Sequence, residues 1–152
     1  MYCYGSSISQ PVVLNSGGTW QGISTDPVTG AITAVLDTGF YTYNYILSNL
    51  NCEDTAAYSI DILYQNDASI AHPGTICDNF DTISLSSTDT GGIWSGMQIN
   101  STTGTIDISV LGNGNFDFIY SISGQCPDSD TLNLEILKFF LKIQFVHSSA
   151  LN

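Results

Sequence analysis

The sequence predicts an all-β protein made of two small domains in tandem. The stretch Gly17–Gly22 recurs as Gly91–Gly96, a shift of 74 positions, and the two copies hold the only two tryptophans among 152 residues. The same shift relates each of the four cysteines to another cysteine. Self-similarity at a fixed period is the signature of a repeat protein. Glycine, serine, threonine, isoleucine and aromatic residues are abundant and helix formers are scarce, which is typical of an all-β chain.

Four segments of the first repeat are predicted as strands. Residues Ile8–Leu14 read as an edge strand, because Pro11 cannot donate to a ladder inside a sheet. After turn-forming residues at Asp26–Gly30, alternating apolar and polar side chains predict a half-buried strand over Ile32–Leu36. The same alternation predicts the remaining strands, Tyr41–Leu47 and Tyr58–Ile62.

The second repeat reproduces this pattern almost element by element. The Asn-Gly pair within Gly112–Asn115 predicts a hairpin turn, since both residues accept positive φ angles. Short strands at turn-separated intervals are typical of a small antiparallel β-sandwich of immunoglobulin-like type, with a small barrel as the alternative. The predicted strands of this repeat are Ile83–Leu85, Ile106–Val110, Phe116–Ile122 and Leu132–Ile136.

The repeat also predicts the domain organisation. Residues 1–66 form the first immunoglobulin-like repeat and residues 76–137 the second. Residues 67–75 are predicted as a linker, because the surrounding chain has no alternating pattern and contains His72-Pro73-Gly74. The apolar tail, residues 138–152, has no counterpart in the first repeat. Three structures fit it: an extension of the last strand, a strand donated to a neighbouring molecule, or a short amphipathic helix.

The charge balance restricts the partners that the chain can have. It carries 14 acidic residues and two lysines, Lys138 and Lys142, for a net charge of −12. Such a chain repels phosphate backbones and anionic lipids, so we expect no nucleic-acid partner and no binding to acidic membranes. No apolar run is long enough to predict a membrane span. Divalent cations and glycans remain compatible with an acidic surface.

The cysteines form two equivalent pairs, Cys3 with Cys52 and Cys77 with Cys126. Each cysteine lies just before the first or the last predicted strand of its repeat. In immunoglobulin-like sandwiches these two strands can run side by side in parallel, which would bring both cysteines to one end. We therefore expect one disulfide within each repeat, and an oxidising compartment. Four free thiols are the alternative, and pairing across the repeats would ignore the repeat symmetry.

Other residues are candidates for binding. Trp20 and Trp94 could stack on sugars, but packing in the core is the preferred interpretation. Asp54, Asp128 and Asp130 are calcium candidates, although no complete calcium-loop pattern surrounds them and solvated turn aspartates are the preferred interpretation.

The sequence contains no catalytic constellation. Its two histidines, His72 and His147, lie in the predicted linker and in the tail, with no motif around either. Nothing singles out a pair of carboxylates for glycoside hydrolysis among the 14 acidic residues. The sequence therefore predicts a protein that is not an enzyme and has no cofactor, with calcium as the one ion to consider.

The spaced residues of each repeat resemble a known family. The order is a cysteine, a strand, Gly-Gly-x-Trp-x-Gly, an aromatic strand such as Tyr41–Tyr45, then Cys-x-Asp and a last strand. This resembles the tandem immunoglobulin-like repeats of very large secreted surface proteins of Bacteroidetes, including gliding-type adhesins. The resemblance covers about residues 1–137. It implies export to the cell surface, adhesion without catalysis, and O-glycosylation of the threonine in Asp-Thr-apolar tripeptides, here Thr55, Thr82 and Thr131.

The function that these observations favour is a non-enzymatic extracellular module, a spacer or adhesive segment of a surface protein or fibre. Its partners would be neighbouring repeats or subunits of the same protein, and surface glycans. A second hypothesis is a self-assembling filament subunit that donates its tail strand. A third is a glycan- or calcium-binding module.

Overall fold

The computed structural model describes residues 1–140, and nearly all of its regular structure is β. The all-β prediction is therefore confirmed. The chain divides into two compact units: unit 1 is Met1–Asn66 with Ser123–Asp128, and unit 2 is Asp67–Ile122 with the chain from Ser129 onward. The elements are β1 (Tyr2–Cys3), β2 (Thr19–Gln21), β3 (Gly39–Asn49), β4 (Cys52–Leu63), β5 (Ile76–Cys77), β6 (Thr82–Ser84), β7 (Ile93–Gly96), β8 (Thr105–Asp107), α1 (Ile108–Leu111), β9 (Gly114–Ile122) and β10 (Asp128–Leu137).

Unit 1 contains a four-stranded sheet in the order β1-β4-β3-β2. Strands β3 and β4 form a long antiparallel hairpin, paired from Gly39 opposite Ile62 to Asn49 opposite Cys52. Strand β1 forms the edge of the sheet opposite β2 and runs parallel to β4, with Cys3 opposite Leu63. Side chains alternate along β3 and β4, so that one face of the sheet packs in the core. The buried residues of this core are Trp20, Leu36, Tyr43, Tyr45, Ile60 and Ile62.

The opposite wall of the unit 1 core consists of irregular chain. Ile8, Val13 and Ile32 pack against the core. The strands predicted at Ile8–Leu14 and Ile32–Leu36 are nevertheless wrong, because only an isolated bridge between Thr25 and Ile32 forms there. Ile32 and Leu36 pack at the core without joining a ladder, whereas Ala34 between them is exposed, so alternation here predicted only part of the burial.

Unit 2 repeats the topology with regular strands in both layers. Its four-stranded sheet has the order β5-β10-β9-β7, and β6 pairs with β8 in a second, two-stranded sheet. Strand β5 runs parallel to β10, as β1 does to β4. Residues from both layers meet in one core, which includes Ile106 and Phe118, both fully buried. The first short strand of each unit therefore lies parallel to its last long strand. These short strands are β1 and β5, and not the predicted first strands Ile8–Leu14 and Ile83–Leu85, so the predicted pairing is wrong.

One predicted strand of unit 2 ends early in a helical turn. The strand predicted over Ile106–Val110 stops at Asp107, whose carboxylate accepts a hydrogen bond from the Val110 N–H and so caps α1. Gly112, with φ of +74°, ends the turn. The hairpin predicted at Gly112–Asn115 is therefore wrong, because β8 pairs with β6 and not with β9.

Residues 67–75, predicted as a linker, are packed into unit 2. Ala68 is completely buried in the core. The Ile70 N–H donates to Asp130 Oδ2 at 2.9 Å, and Ile70 bridges to Ser87. The segment lacks alternation because it is irregular, and its backbone N–H groups donate to aspartate side chains. It is part of unit 2 and is not a linker between the units.

The tail begins without regular structure. Strand β10 ends at Leu137, and residues 138–140 form neither helix nor strand. The predictions of a strand extension, a donated strand or a helix fall mostly on residues 141–152, which lie outside the described residues. Within residues 1–140, no helix has the length and apolar character needed to cross a membrane.

Tyr43 supplies a test of the unit 1 core. Its hydroxyl is, within residues 1–140, the one buried side-chain polar atom that has no hydrogen-bond partner. Burial raises the pKa of this phenol above its usual value. Pairing of β2 with β3 and of β7 with β9 makes Phe118 its counterpart in unit 2. Replacing Tyr43 with phenylalanine should therefore stabilise the protein by about 1 kcal/mol in urea denaturation, since it removes an unsatisfied buried group.

The matched control is Tyr45→Phe. The Tyr45 hydroxyl donates to the Asn15 carbonyl and accepts from the Gly18 N–H, both at 2.8 Å. Its removal should destabilise the protein by about 1–2 kcal/mol, because two polar groups lose their partner. A Tyr43→Phe variant that is less stable than the parent would contradict the assignment.

Candidate functional site

The repeated tryptophan forms the centre of a tightly built cluster in unit 1. Strand β2 places Trp20 opposite Tyr45 of β3. The two ring centroids are 5.0 Å apart with the planes tilted by 47°, a favourable geometry for aromatic pairs. Only 6% of Trp20 is exposed, so no ring face is open for a sugar to stack on.

Two glycines are required by this cluster. A Cβ on Gly18 would lie 2.6 Å from the Ile46 carbonyl oxygen and from the Tyr45 ring. Gly30 has φ of +76°, and a Cβ there would lie 2.6 Å from Nε1 of Trp20. These close approaches give a physical reason for the recurrence of the glycines with the tryptophan.

Unit 2 contains the same cluster. Trp94 is 5% exposed and its ring centroid lies 4.5 Å from that of Tyr120. The Gly92 N–H donates to the Tyr120 hydroxyl at 2.8 Å, and Gly104 with φ of +69° lies against Trp94. The sequence did not single out the two tyrosines as anchors for the glycine N–H groups, although their alternating aromatic strands were a usable signal.

The turns that end at Gly30 in unit 1 and at Gly104 in unit 2 are each stabilised by a side-chain acceptor. In unit 1, Asp26 Oδ1 accepts from the N–H of Thr29 at 2.7 Å and from the N–H of Val28 at 3.0 Å. The hydrogen bonds from Thr29, followed by the one from Val28, lower the pKa of the Asp26 carboxyl. In unit 2, Asn100 replaces the aspartate and accepts from Thr102 and Thr103.

This difference predicts a pH dependence at the Asp26 turn that the matching Asn100 turn of unit 2 lacks. Because the folded pKa of Asp26 is below the unfolded value near 3.8, its contribution to stability is complete above that pH. The contribution is lost as the pH falls through the folded pKa. Thermal unfolding of the parent and of Asp26→Asn, measured from pH 5 to pH 2, should show a smaller acid-induced loss of Tm for the variant. Parallel curves for the two proteins would contradict the prediction.

A groove of about 350 Å³ lies beside the tryptophan cluster of unit 1. Its walls are mainly apolar, with Pro11, Val13 and Tyr58 among them, and Asp54 contributes a carboxylate. The backbone N–H of Thr55 already donates to that carboxylate at 2.9 Å.

Of the calcium candidates, Asp54 accepts a hydrogen bond from the Thr55 N–H within unit 1. Asp130 accepts hydrogen bonds from the N–H groups of Thr131 and Ile70 and so holds the backbone of unit 2. Among residues 1–140, no three acidic, histidine or cysteine side chains are grouped as metal ligands.

The predicted glycosylation residues are accessible. Thr55 and Thr131 lie on exposed positions of β4 and β10, and Thr82 lies on an exposed position of β6. His72 has a local role, since its Nδ1 accepts a hydrogen bond from the Gly74 N–H at 3.0 Å. His147 lies outside the described residues.

The disulfide pairing differs from the one predicted. Cys3 is bonded to Cys126, with their Cα atoms 5.6 Å apart and a sequence separation of 123. Cys52 and Cys77 are free. The predicted pairs Cys3–Cys52 and Cys77–Cys126 are therefore wrong.

The cause of the error is the position of Cys3. The prediction placed this residue before an edge strand at Ile8–Leu14, at the same end of the sheet as Cys52. In the structure Cys3 is part of β1 and lies opposite Leu63, the last residue of β4, whereas Cys52 is the first residue of that 12-residue strand. A 12-residue strand spans almost 40 Å, much more than the Cα separation of a disulfide.

The loop that carries Cys126 is part of unit 1. The Asn66 side-chain amide donates to the Cys126 carbonyl, and the Gln65 side-chain amide donates to the Pro127 carbonyl at 3.4 Å. Cys126 is only 2% exposed. Sequence reasoning missed Gln65 and Asn66, and the change from Cys-Glu-Asp at Cys52 to Cys-Pro-Asp at Cys126 was the one signal that the two loops differ.

The comparisons with known proteins add no identity. Neither a protein-family model nor a curated protein matches the chain.

Proposed function

We propose that the chain is a non-enzymatic, extracellular structural module, two immunoglobulin-like sandwiches that act as a spacer within an adhesive surface protein or fibre. The observation that carries this proposal is the disulfide between Cys3 and Cys126. Disulfides persist mainly in oxidising compartments such as the cell exterior. The duplicated topology and the resemblance to surface repeats support the same function.

The disulfide determines how the module responds to tension. A force applied at Met1 and at Leu137 passes along the chain to Cys3, crosses the disulfide to Cys126 and continues along β10. Residues 4–125, which lie between the two cysteines, are outside this covalent path. A spacer built in this way keeps its length under load, because unfolding of the bypassed segment adds no extension.

Single-molecule force spectroscopy tests the mechanical part of the proposal. Pulled between Met1 and Leu137, the oxidised protein should release no length from the bypassed segment. After reduction, the same pull should release about 400 Å more, for 123 positions at about 3.4 Å each. Release of this length from the oxidised protein would contradict the proposal.

The location is tested separately. Antibodies raised against the folded chain should label intact source cells without permeabilisation. Labelling that appears only after the cells are opened would contradict an extracellular module. Binding to glycans, to calcium or through a donated tail strand stays a prediction, because no contact of residues 1–140 favours one of these over the others.

A further inference from the structure

The two free cysteines are the repeat equivalents of the two bonded ones. The shift of 74 positions relates Cys52 to Cys126 and Cys77 to Cys3. The observed bond joins the hairpin-loop cysteine of the second repeat to the first-strand cysteine of the first repeat. The loop cysteine of the first repeat, Cys52, and the first-strand cysteine of the second repeat, Cys77, are free. These are the two kinds of cysteine that a second bond of the same type requires.

The surroundings of Cys77 reproduce those of bonded Cys3. In unit 1, Cys3 pairs with Leu63, and the Tyr4 N–H donates to the Leu63 carbonyl at 2.8 Å. In unit 2, Cys77 pairs with Leu137, and the Asp78 N–H donates to the Leu137 carbonyl at 2.9 Å. The backbone thus presents the Cys77 thiol at the same place on the sheet edge as the residue that already accepts a loop cysteine.

Cys52 is presented differently from its bonded equivalent. It closes the β3–β4 hairpin opposite Asn49 and is exposed, next to Leu50, which is fully exposed. In the second repeat Pro127 follows the cysteine and cannot donate to a ladder, so β10 begins only at Asp128. The free thiol therefore lies at the exposed tip of the hairpin, where another molecule can reach it.

We propose that Cys52 of one copy of this chain forms a disulfide with Cys77 of a second copy. The contact joins two different surface positions, so each copy can bond one neighbour through Cys52 and another through Cys77, and successive copies form covalent oligomers. This repeats between molecules the bond that Cys3 and Cys126 make within one molecule.

The oxidant is a low-molecular-weight disulfide such as oxidised glutathione. The thiolate of one cysteine attacks a glutathione sulfur, forms a mixed disulfide and releases one glutathione thiolate. The thiolate of the partner cysteine then attacks the protein sulfur of that mixed disulfide and releases the second glutathione. Two protein thiols are oxidised to one disulfide, one glutathione disulfide is reduced to two thiols, and the two protons end on glutathione.

The test follows the size of the oxidised protein on non-reducing gels. The full chain is incubated with oxidised and reduced glutathione at about 0.15 M salt, where repulsion between two copies of net charge −12 is screened. We expect a ladder of covalent oligomers that collapses to monomer on reduction, with a Cys52–Cys77 peptide in its digest. A protein that stays monomeric, or that forms this bond within one molecule, overturns the proposal.

Two serine variants test the direction of the contact. Cys52→Ser and Cys77→Ser should each remain monomeric alone, because each lacks one half of the bond. An equimolar mixture should stop at the dimer, since one variant supplies only Cys77 and the other only Cys52. Covalent dimers of either variant alone would show pairing of like cysteines and overturn the proposal.

A displaced cysteine controls for chance encounters. Ser48 is exposed and lies opposite Glu53, beside the hairpin tip. The double variant Cys52→Ser with Ser48→Cys should form no more oligomer than Cys52→Ser alone. A ladder equal to that of the parent would show that any cysteine near the tip suffices, which overturns the specific contact.

Discussion

Replacing Cys126 with serine lowers the free energy of global unfolding by about 5 kcal/mol, the value that the chain-entropy model assigns to a loop of this length. The loop is long because the bonded residues are 123 positions apart. An intact crosslink of this span excludes most extended conformations of the unfolded chain. The loss should appear in urea denaturation of Cys126→Ser, and to the same extent in Cys3→Ser.

The two free cysteines supply the control for this experiment. Cys52→Ser changes an exposed side chain and should alter the free energy of unfolding by less than about 0.5 kcal/mol. All variants are compared as monomers in the absence of a thiol oxidant. Equal stability of Cys52→Ser and Cys126→Ser would contradict the Cys3–Cys126 disulfide and would favour one disulfide within each repeat.

Replacing Trp20 with alanine destabilises unit 1 by about 3–5 kcal/mol, the usual cost of removing a large buried aromatic side chain. The cost is expected at the upper end of that range. Trp20 packs on Tyr45, and Gly30 is pressed against its indole, so the variant leaves a cavity between rigid neighbours. Chemical denaturation of the variant measures the loss.

The second repeat contains the matched variant. Trp94→Ala removes the equivalent side chain from unit 2 and should cost a similar amount there. Each variant retains one tryptophan, whose fluorescence reports the unfolding of the other, intact unit. A loss of less than about 0.5 kcal/mol in the free energy of unfolding of Trp20→Ala would contradict a core role for Trp20.

The elements that the sequence predicted well are those in which local pattern and tertiary pairing agree. Tyr41–Leu47 and Phe116–Ile122 alternate strictly, and both lie inside observed strands, β3 and β9. Tyr58–Ile62 and Leu132–Ile136 lie within β4 and β10. A strand that is buried on one face must alternate, so the pattern and the structure have the same cause.

The prediction failed where a segment is buried without a ladder, or capped by a side chain. Ile8 and Ile32 are partly buried and pack against the core from irregular chain, and Ala68 is buried in a segment predicted as a linker. The Asp107 carboxylate caps the N-terminus of α1. The alternating apolar residues at this point had predicted that the strand would continue. Local sequence does not show which distant group will form hydrogen bonds with the backbone N–H and C=O groups of such segments.

By itself, the sequence determined that this protein is all-β, that it repeats at 74 positions and that its tryptophan, glycine and cysteine positions are equivalent in both copies. Only the tertiary structure decided which cysteines meet, that the β9–β10 loop belongs to unit 1, and that residues 67–75 complete unit 2. The physical reason is that a repeat specifies equivalent positions within each copy, whereas a disulfide depends on which equivalent positions approach to within about 6 Å in space.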